Sequence, residues 1–378
     1  MAQQRLKAAF YRGGTSKSVV FDGRDLPQDR AERDRIFLHV LGSPDPYGRQ
    51  LDGLGGGLSS LSKVVIVEPS THAEADVDYT FVQIAVDAPV ADYGAMCGNM
   101  SSAVGPFAVD EGMVTATGTE ATVRVRNTNT NKFFHARFPV KDGKAVESGS
   151  FEIPGVATSG AKVALEFLAP GGASTGMLLP TGQPRDHLDV AGFGRFEVSL
   201  IDASNPMVFL RAKDLGCDGS ETPEALDRNT DVMAALDAIR RAGGVAMGMA
   251  ETPDSVKLSN PRVALIAPPA PFQALDGRTY AAEDHDIAVR LVSMGNVHRA
   301  VTLTGAMCIA VAAEIPGSLV ADMTQSAARP IRLGNPSGVL PVTAEVTRNG
   351  DGLRAVSATS YRTQRRIMEG HVLYPKDL

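Results

Sequence analysis

The chain has 378 residues, 43% hydrophobic and 21% charged, with 38 glycines, no tryptophan and a formal net charge of −6 at pH 7. That is enough sequence for two domains with their own cores, and the acidic balance excludes a surface suited to nucleic acid or an anionic membrane. An anionic small molecule would therefore need a local basic pocket. No apolar run reaches the length of a membrane span, and Met1 to Phe10 carries no signal-peptide pattern. Cys97, Cys217 and Cys308 lie far apart with no CxxC spacing. They form neither a disulfide framework nor a zinc site, and they suit a reducing, cytoplasmic setting.

In chain order, Leu6 to Phe10 and Ser18 to Phe21 read as strands joined by the polar, glycine-rich turn Arg12-Gly13-Gly14-Thr15-Ser16-Lys17. Ala31 to Leu41 reads as a short helix stopped at Gly42. A loop follows through Pro44, Pro46 and Gly53 to Gly57. It leads by Ser59-Ser60-Leu61-Ser62-Lys63 into the apolar strand Val64 to Val67. Tyr79 to Val86 alternates as a half-buried strand. An apolar helix then runs to about Gly112. Strands at 123–126, 133–140 and 162–167 lead to loops that place a domain boundary near residue 185.

The second half gives strands at 196–201 and 207–210, a helix at 231–242 and a strand at 263–266. Residues 286–293 are helix or strand, which periodicity does not decide. Arg299 to Glu314 reads as a second buried helix, stopped by Ile315-Pro316-Gly317. Strands near 331–333, 342–346 and 353–357 follow. Each half thus offers strands, one fully buried helix, then more strands. The pattern predicts an α+β chain of two similar domains, 1–185 and 186–378, each wrapping a mixed or antiparallel sheet around a central helix. The last strand has the option of pairing back with the first domain. The interdomain cleft is the default ligand site.

The stretch Met96-Cys97-Gly98-Asn99-Met100-Ser101-Ser102 is the chemical centre of the sequence. It reads as a tight turn that delivers Cys97 to the start of a buried helix. Unpaired N–H groups there favour a thiolate, or a substrate carboxylate or enolate oxygen. A plain core cysteine is the competing reading, but Gly-Asn and Ser-Ser are polar groups that a simple core helix does not need. Lys63 follows a glycine-rich lead-in and opens an apolar strand. That placement suggests partial burial, which lowers a lysine pKa and makes it usable as a base. Gly53 to Gly57 lacks a dinucleotide fingerprint, and the lysine after Gly14-Thr15-Ser16 is out of order for a phosphate loop. Glu283-Asp284-His285-Asp286 is the nearest approach to a metal-binding cluster, and acidic capping explains it more simply.

Taken together, Arg12 to Lys17, Gly42 to Tyr47, Gln50 to Gly56, Ser59 to Lys63 and Cys97-Gly98-Asn99 resemble the PrpF family. That family includes 2-methylaconitate cis-trans isomerase, 3-methylitaconate isomerase and 4-oxalomesaconate tautomerase. The likeness runs from about residue 6 to Met368-Glu369-Gly370. More distantly the chain resembles the diaminopimelate epimerase superfamily. Ser204 to Phe209 resembles its Gly-Asn-Pro-His strand entry, and Thr302 to Ala306 its second Cys-Gly-Thr-Gly-Ala helix start. Thr302 stands where that motif has cysteine, and Cys308 lies six residues further on.

The resemblance implies a cofactor-independent isomerase, without metal, that moves a proton along a C–C=C unit of a small unsaturated di- or tricarboxylate. It implies Lys63 and Cys97 as the acid/base pair, in either order, and Gly98 and Asn99 amides holding a carboxylate. Ser16, Ser101, Ser102, Thr302, Ser337 and Gly338 are the further substrate-binding candidates. The only partner it implies is the anionic substrate, with a homodimer as candidate assembly. An amino-acid racemase or epimerase on the same fold, and a non-catalytic accessory or binding protein, are the alternatives. Thr302 argues against the first, and the joint presence of Lys63 and Cys97 against the second.

Overall fold

In the computed structural model, which describes residues 3–94, 96–324, 330–350, 352–376 and 378, the N-terminal alternation becomes a long strand, β1 (Gln3–Gly13). It returns through a two-residue turn into β2 (Ser16–Asp22), with Gly13 opposite Ser16. Gly14 has φ +53° in that turn, a conformation glycine adopts without a Cβ penalty. Helix α1 (Arg30–Leu41) is capped by the Asp29 carboxylate, which accepts the Glu32 N–H at 2.8 Å, and ended by Gly42 at φ +74°. β3 (Lys63–Pro69), β4 (Val77–Ile84), helix α2 (Ser101–Asp110), β5 (Glu120–Asn127), β6 (Lys132–Lys141) and β7 (Val163–Leu168) follow.

The chain continues with β8 (Asp186–Val190), β9 (Gly194–Ala203), β10 (Asn205–Arg211), helix α3 (Thr230–Ala246), β11 (Arg262–Ala267), β12 (Ile287–Ser293) and helix α4 (Leu303–Ala313). β13 (Ile331–Asn335), β14 (Gly338–Asn349), β15 (Gly352–Arg362) and β16 (Gln364–Pro375) complete it. β16 pairs antiparallel with β1. Two compact units result: Met1–Phe167 with Tyr361–Leu378, and Leu168–Ser360.

The two units repeat one plan. In the first, the strand order is β16-β1-β2-β3-β4-β5-β6-β7, and the β2–β3 and β4–β5 pairs are parallel while the others are antiparallel. In the second, β8 to β15 pair in sequence order, with parallel pairs at β10–β11 and β12–β13. A parallel pair needs a crossover rather than a tight turn. Each unit fills its two crossovers alike: α1 and α3 occupy the first, α2 and α4 the second. Both sheets are mixed and each has a central apolar helix, so the α+β class read from the sequence holds.

α2 is buried from Ser101 to Val109 and packs against β1, β3, β5, β6 and β16 of its unit. The ring of Phe107 meets Tyr11 edge-on, with centroids 6.1 Å apart. α1 covers the opposite face, where Ile36, Phe37 and Leu41 join Leu6, Phe21, Val64 and Val372 in one core. α4 is buried from Gly305 to Ala312. α3 is the amphipathic counterpart of α1, setting Leu236 and Ile239 against Leu200, Val208 and Val263.

Three boundaries differ from the sequence reading. The break expected near residue 185 lies at 167/168, because residues 171–176 fold onto the second unit. There the Gly172 N–H reaches the Asp202 carbonyl at 2.7 Å, and the Ser174 and Thr175 amides reach the Asp202 carboxylate at 2.8 and 2.7 Å. The undecided segment at 286–293 is strand β12. The second buried helix begins at Leu303 rather than Arg299, because the Thr302 hydroxyl accepts the Gly305 N–H at 3.1 Å and caps it.

α2 touches its sheet closely at Gly105. A Cβ built there would lie 2.7 Å from Phe138 and 2.9 Å from the Ala136 methyl. Gly105→Ala is therefore expected to destabilise the first unit by about 1–3 kcal/mol through overpacking, despite the better helix propensity of alanine. Urea unfolding measures it, and an unchanged or raised midpoint would contradict this packing.

Candidate functional site

The first unit gathers Lys63, Cys97, Gly98, Asn99, Ser101, Ser102 and Ser16 around the start of α2. The turn Gly98–Met100 enters the helix directly, and Met100 provides no side-chain cap. Its fold rests on two carbonyls. The Cys97 carbonyl accepts the Ser101 N–H at 3.0 Å, the Ser101 hydroxyl at 3.1 Å and the Tyr79 hydroxyl at 3.1 Å. The Asn99 carbonyl accepts the Ser102 hydroxyl at 2.7 Å and the Ser102 N–H at 3.3 Å. Ser101 and Ser102 are fully buried, so their hydroxyls hold the turn. The amides of Gly98, Asn99 and Met100 have no hydrogen-bond acceptor among the described residues. They are free donors at the positive end of a helix, the arrangement that receives an oxyanion.

Lys63 opens β3 opposite Gln83 in the β3–β4 register. The residue is only 7% exposed, and its ammonium donates to Gln83 Oε1 at 2.5 Å and lies 5.0 Å from the centre of the Phe81 ring. Gln83 is itself fixed, its Nε2 donating to the carbonyls of Ser62 at 2.8 Å and Ser59 at 3.0 Å. Burial lowers the Lys63 pKa below the ordinary lysine value, and the nearby Cys97 pulls it the other way. The carboxamide accepts a bond from Lys63 without supplying a negative charge. Lys63 is thus held in place while its proton stays labile.

The loop before Lys63 is pinned by a residue the sequence reading passed over. Gln50, 1% exposed, donates from Nε2 to the hydroxyls of Ser43 and Ser62 at 2.7 Å each and accepts the Gly57 N–H at 3.0 Å. A Cβ at Gly55 would lie 2.3 Å from that carboxamide, which accounts for a glycine in the run. Tyr79 and Arg362 were also missed. Tyr79 looks like an ordinary inward residue of a strand. Arg362 lies far downstream, and its Nε donates to Asn99 Oδ1 at 3.1 Å. No spacing rule connects residues 99 and 362.

Ser16 is buried where β2 begins, 3.5 Å from Asn99 Nδ2, and the neighbouring Thr15 hydroxyl accepts from the same nitrogen at 3.0 Å. Thr302, Ser337 and Gly338 belong to the second unit. The Thr302 hydroxyl caps α4 and also accepts from Arg262 Nη1 at 2.5 Å, and Arg262 reaches Thr304 at 3.1 Å. The Ser337 hydroxyl donates to the Arg299 carbonyl at 2.5 Å. Gly338, at φ +126°, lies against the Tyr280 hydroxyl.

Among the described residues no group of three or more His, Cys, Asp or Glu side chains is placed to hold a metal. Residues 283–286 disperse: Asp286 pairs with Arg332 at 2.8 Å, Asp284 accepts the Ala281 N–H at 2.7 Å, and the buried His285 ring lies edge-on to Phe272. Cys308 is buried in α4, and burial pushes its thiol far up. Cys217 is pushed up to about 11 by burial and by Glu221. No helix is long and apolar enough to cross a membrane among the described residues.

Tyr79→Phe keeps the ring and removes one of three donors to the Cys97 carbonyl. It is expected to cost about 1 kcal/mol in chemical unfolding, and no loss of stability would mean that the hydroxyl does not support the turn.

A family model described as PrpF protein matches residues 3–375. The chain is 38% identical to a 2-methyl-aconitate isomerase of Shewanella oneidensis, over 99% of this chain and 98% of the relative. It is 40% identical to a 3-methylitaconate isomerase of Eubacterium barkeri, again over 99% and 98%. A crystal structure of a methylitaconate-delta-isomerase superposes with a TM-score of 0.92 at 38% identity, covering 100% of this chain and 97% of that one.

Proposed function

The chain belongs to the PrpF family, and from that premise we propose that it is an isomerase moving a proton along the C–C=C unit of a small unsaturated di- or tricarboxylate. 2-Methylaconitate, 3-methylitaconate and 4-oxalomesaconate are the substrates to test first. The observation that carries the reading is a buried, carboxamide-held Lys63 in the same unit as the unengaged amides that follow Cys97 at the start of α2.

The chemistry follows from that arrangement. Removing a proton from carbon next to a carboxylate is difficult because the electron pair has nowhere stable to go. In an unsaturated substrate the pair spreads over the double bond and onto a carboxylate oxygen. The amides of Gly98 and Asn99 meet that oxygen as its charge grows, usually the largest catalytic contribution. Neutral Lys63 takes the proton from one end of the allyl unit as that C–H bond breaks. The Cys97 thiol returns a proton at the other end as the new C–H bond forms, and the double bond shifts by one position. The step leaves a proton on Lys63 and a thiolate at Cys97, and transfer of that proton from Lys63 to Cys97, directly or through water, restores the starting pair, so the proposed step calls for no metal or organic cofactor. The partner the reading requires is the anionic substrate.

A racemase with one thiol on each face is less well supported. The residue at the second helix start is Thr302, whose hydroxyl is occupied as a cap, and Cys308 is buried with its thiol directed at the Ile201 carbonyl. A purely binding role leaves the labile lysine unexplained.

Lys63→Met and Cys97→Ser are each expected to lower kcat by roughly a hundredfold or more, the scale of a positioned acid or base. The double variant should be little worse than the poorer single one, because the pair acts as a unit. An ultraviolet assay over the three substrates reads this, with melting temperature as a control for folding. Near-normal turnover in either single variant removes that residue from the mechanism.

The pH dependence carries a sign. Burial lowers the Lys63 pKa, so the neutral base appears at a lower pH than for a free lysine. kcat/KM is then expected to rise with pH along a limb below the ordinary lysine range. A profile with no rising limb below that range would remove Lys63 as the titrating base.

A further inference from the structure

Arg362 is the feature the proposed chemistry does not use. It lies near the end of β15, and its side chain is buried in the first unit, with the residue 7% exposed. A guanidinium is costly to bury and cannot shed its charge in the physiological range. One of its contacts reaches the turn that carries Cys97. Nε donates to Asn99 Oδ1 at 3.1 Å, and Nη1 donates to its neighbour's carbonyl, Tyr361 O, at 2.8 Å.

Because arginine only donates, the Asn99 carboxamide must present its oxygen to Arg362. That turns Nδ2 toward the Thr15 hydroxyl at 3.0 Å and the Ser16 hydroxyl at 3.5 Å. The β1–β2 turn closes over the same group. A Cβ at Gly14 would lie 2.5 Å from Asn99 Oδ1, and one at Gly13 would lie 2.8 Å from the Asn99 carbonyl. Asn99 therefore has one allowed pose, and its backbone, which carries an unengaged amide, is fixed with it.

We propose that Arg362 is a positioning residue for the proton-transfer site: its guanidinium locks Asn99, and through it the Cys97–Met100 turn. The amides of Gly98 and Asn99 then keep their aim, and the Cys97 side chain keeps its place at the start of the turn. Among the described residues, the ionisable groups that interact electrostatically with Cys97 are Lys63, Tyr79 and Arg362. Burial lowers the Arg362 pKa to about 10, with Cys97 opposing, which leaves the guanidinium charged at neutral pH. This deepens the isomerase reading and rests on it for turnover, but the state of Cys97 is measurable without substrate.

The test uses the full chain and compares Arg362→Met, Arg362→Lys and Asn99→Ala for turnover, for melting temperature, and for the rate of Cys97 alkylation by iodoacetamide at pH 7.5, followed by mass spectrometry. Arg362→Met is expected to change the alkylation rate severalfold, because the turn that presents the Cys97 thiol is no longer held, and to lower kcat by roughly 10–100-fold, the usual penalty for misplaced groups. Arg362→Lys keeps the charge without the planar donor, so alkylation and kcat should both shift in the same sense as in Arg362→Met. Asn99→Ala keeps the buried charge and breaks the link. It should resemble Arg362→Lys, and it decides the case if Arg362→Met does not fold. Wild-type alkylation and turnover in a folded Arg362→Met, or wild-type turnover in Asn99→Ala, would overturn the proposal. If Lys63→Met retains turnover while Arg362→Met still changes the alkylation rate, the isomerase mechanism fails and the positioning of Cys97 survives.

Discussion

The Cys97 carbonyl is the constraint on which the site depends. Three donors converge on it, the Ser101 amide, the Ser101 hydroxyl and the Tyr79 hydroxyl. With its oxygen turned inward, the peptide that follows must direct its N–H groups away from the helix. A buried helix start ordinarily satisfies those amides with a side-chain cap. Here the N-cap position is Met100, which has no capping group, and the two serines that could have capped bond back to carbonyls. The unengaged amides of Gly98, Asn99 and Met100 are the direct result. The surrounding sheet, the apolar wall of α2 and the close approach at Gly105 keep that helix from relaxing into a form that would satisfy them.

Much of this was legible in the sequence, and the reason differs by element. The central helices were readable because each is apolar nearly all round, a pattern that only full burial permits. The burial of Lys63 was readable because it sits between a glycine-rich lead-in and a run of branched apolar residues. The segment at 286–293 resisted because Ile287 to Val292 are all buried. A strand covered on both faces shows no alternation to tell it from a buried helix. The boundary at 167/168 was invisible because Asp202, which draws the loop at residues 171–176 into the second unit, carries no local signal of that role.

The missed residues share a property: they act through long-range polar contacts. Gln50 organises a loop by satisfying two serines and one amide with a single carboxamide. In the sequence it is one polar residue among many in a loop. Arg362 lies 263 residues from Asn99, and only the return of Tyr361–Leu378 to the first unit brings them together. Hydrophobic patterning reports which faces are buried. It says nothing about which buried polar group satisfies which other, and that pairing is what shapes this site.

The repeated plan of the two units sharpens the chemical argument. Lys63 opens β3, the strand that follows the first crossover helix, and Arg262 opens β11, its counterpart. Cys97 precedes the central helix of the first unit, and Thr302 caps that of the second. At both positions the second unit replaces a group suited to proton exchange with one far less suited to it. A guanidinium keeps its charge, and an alcohol that accepts from Arg262 and Gly305 together is a poor acid. Arg262 and Thr302 are joined directly, whereas Lys63 is bonded to a neutral carboxamide. The pair proposed for acid/base work thus occupies one of two equivalent places. That asymmetry suits a reaction in which one pair of groups both removes and returns the proton along an allyl unit. It does not suit inversion at a tetrahedral carbon, which asks for an acid on one face and a base on the other.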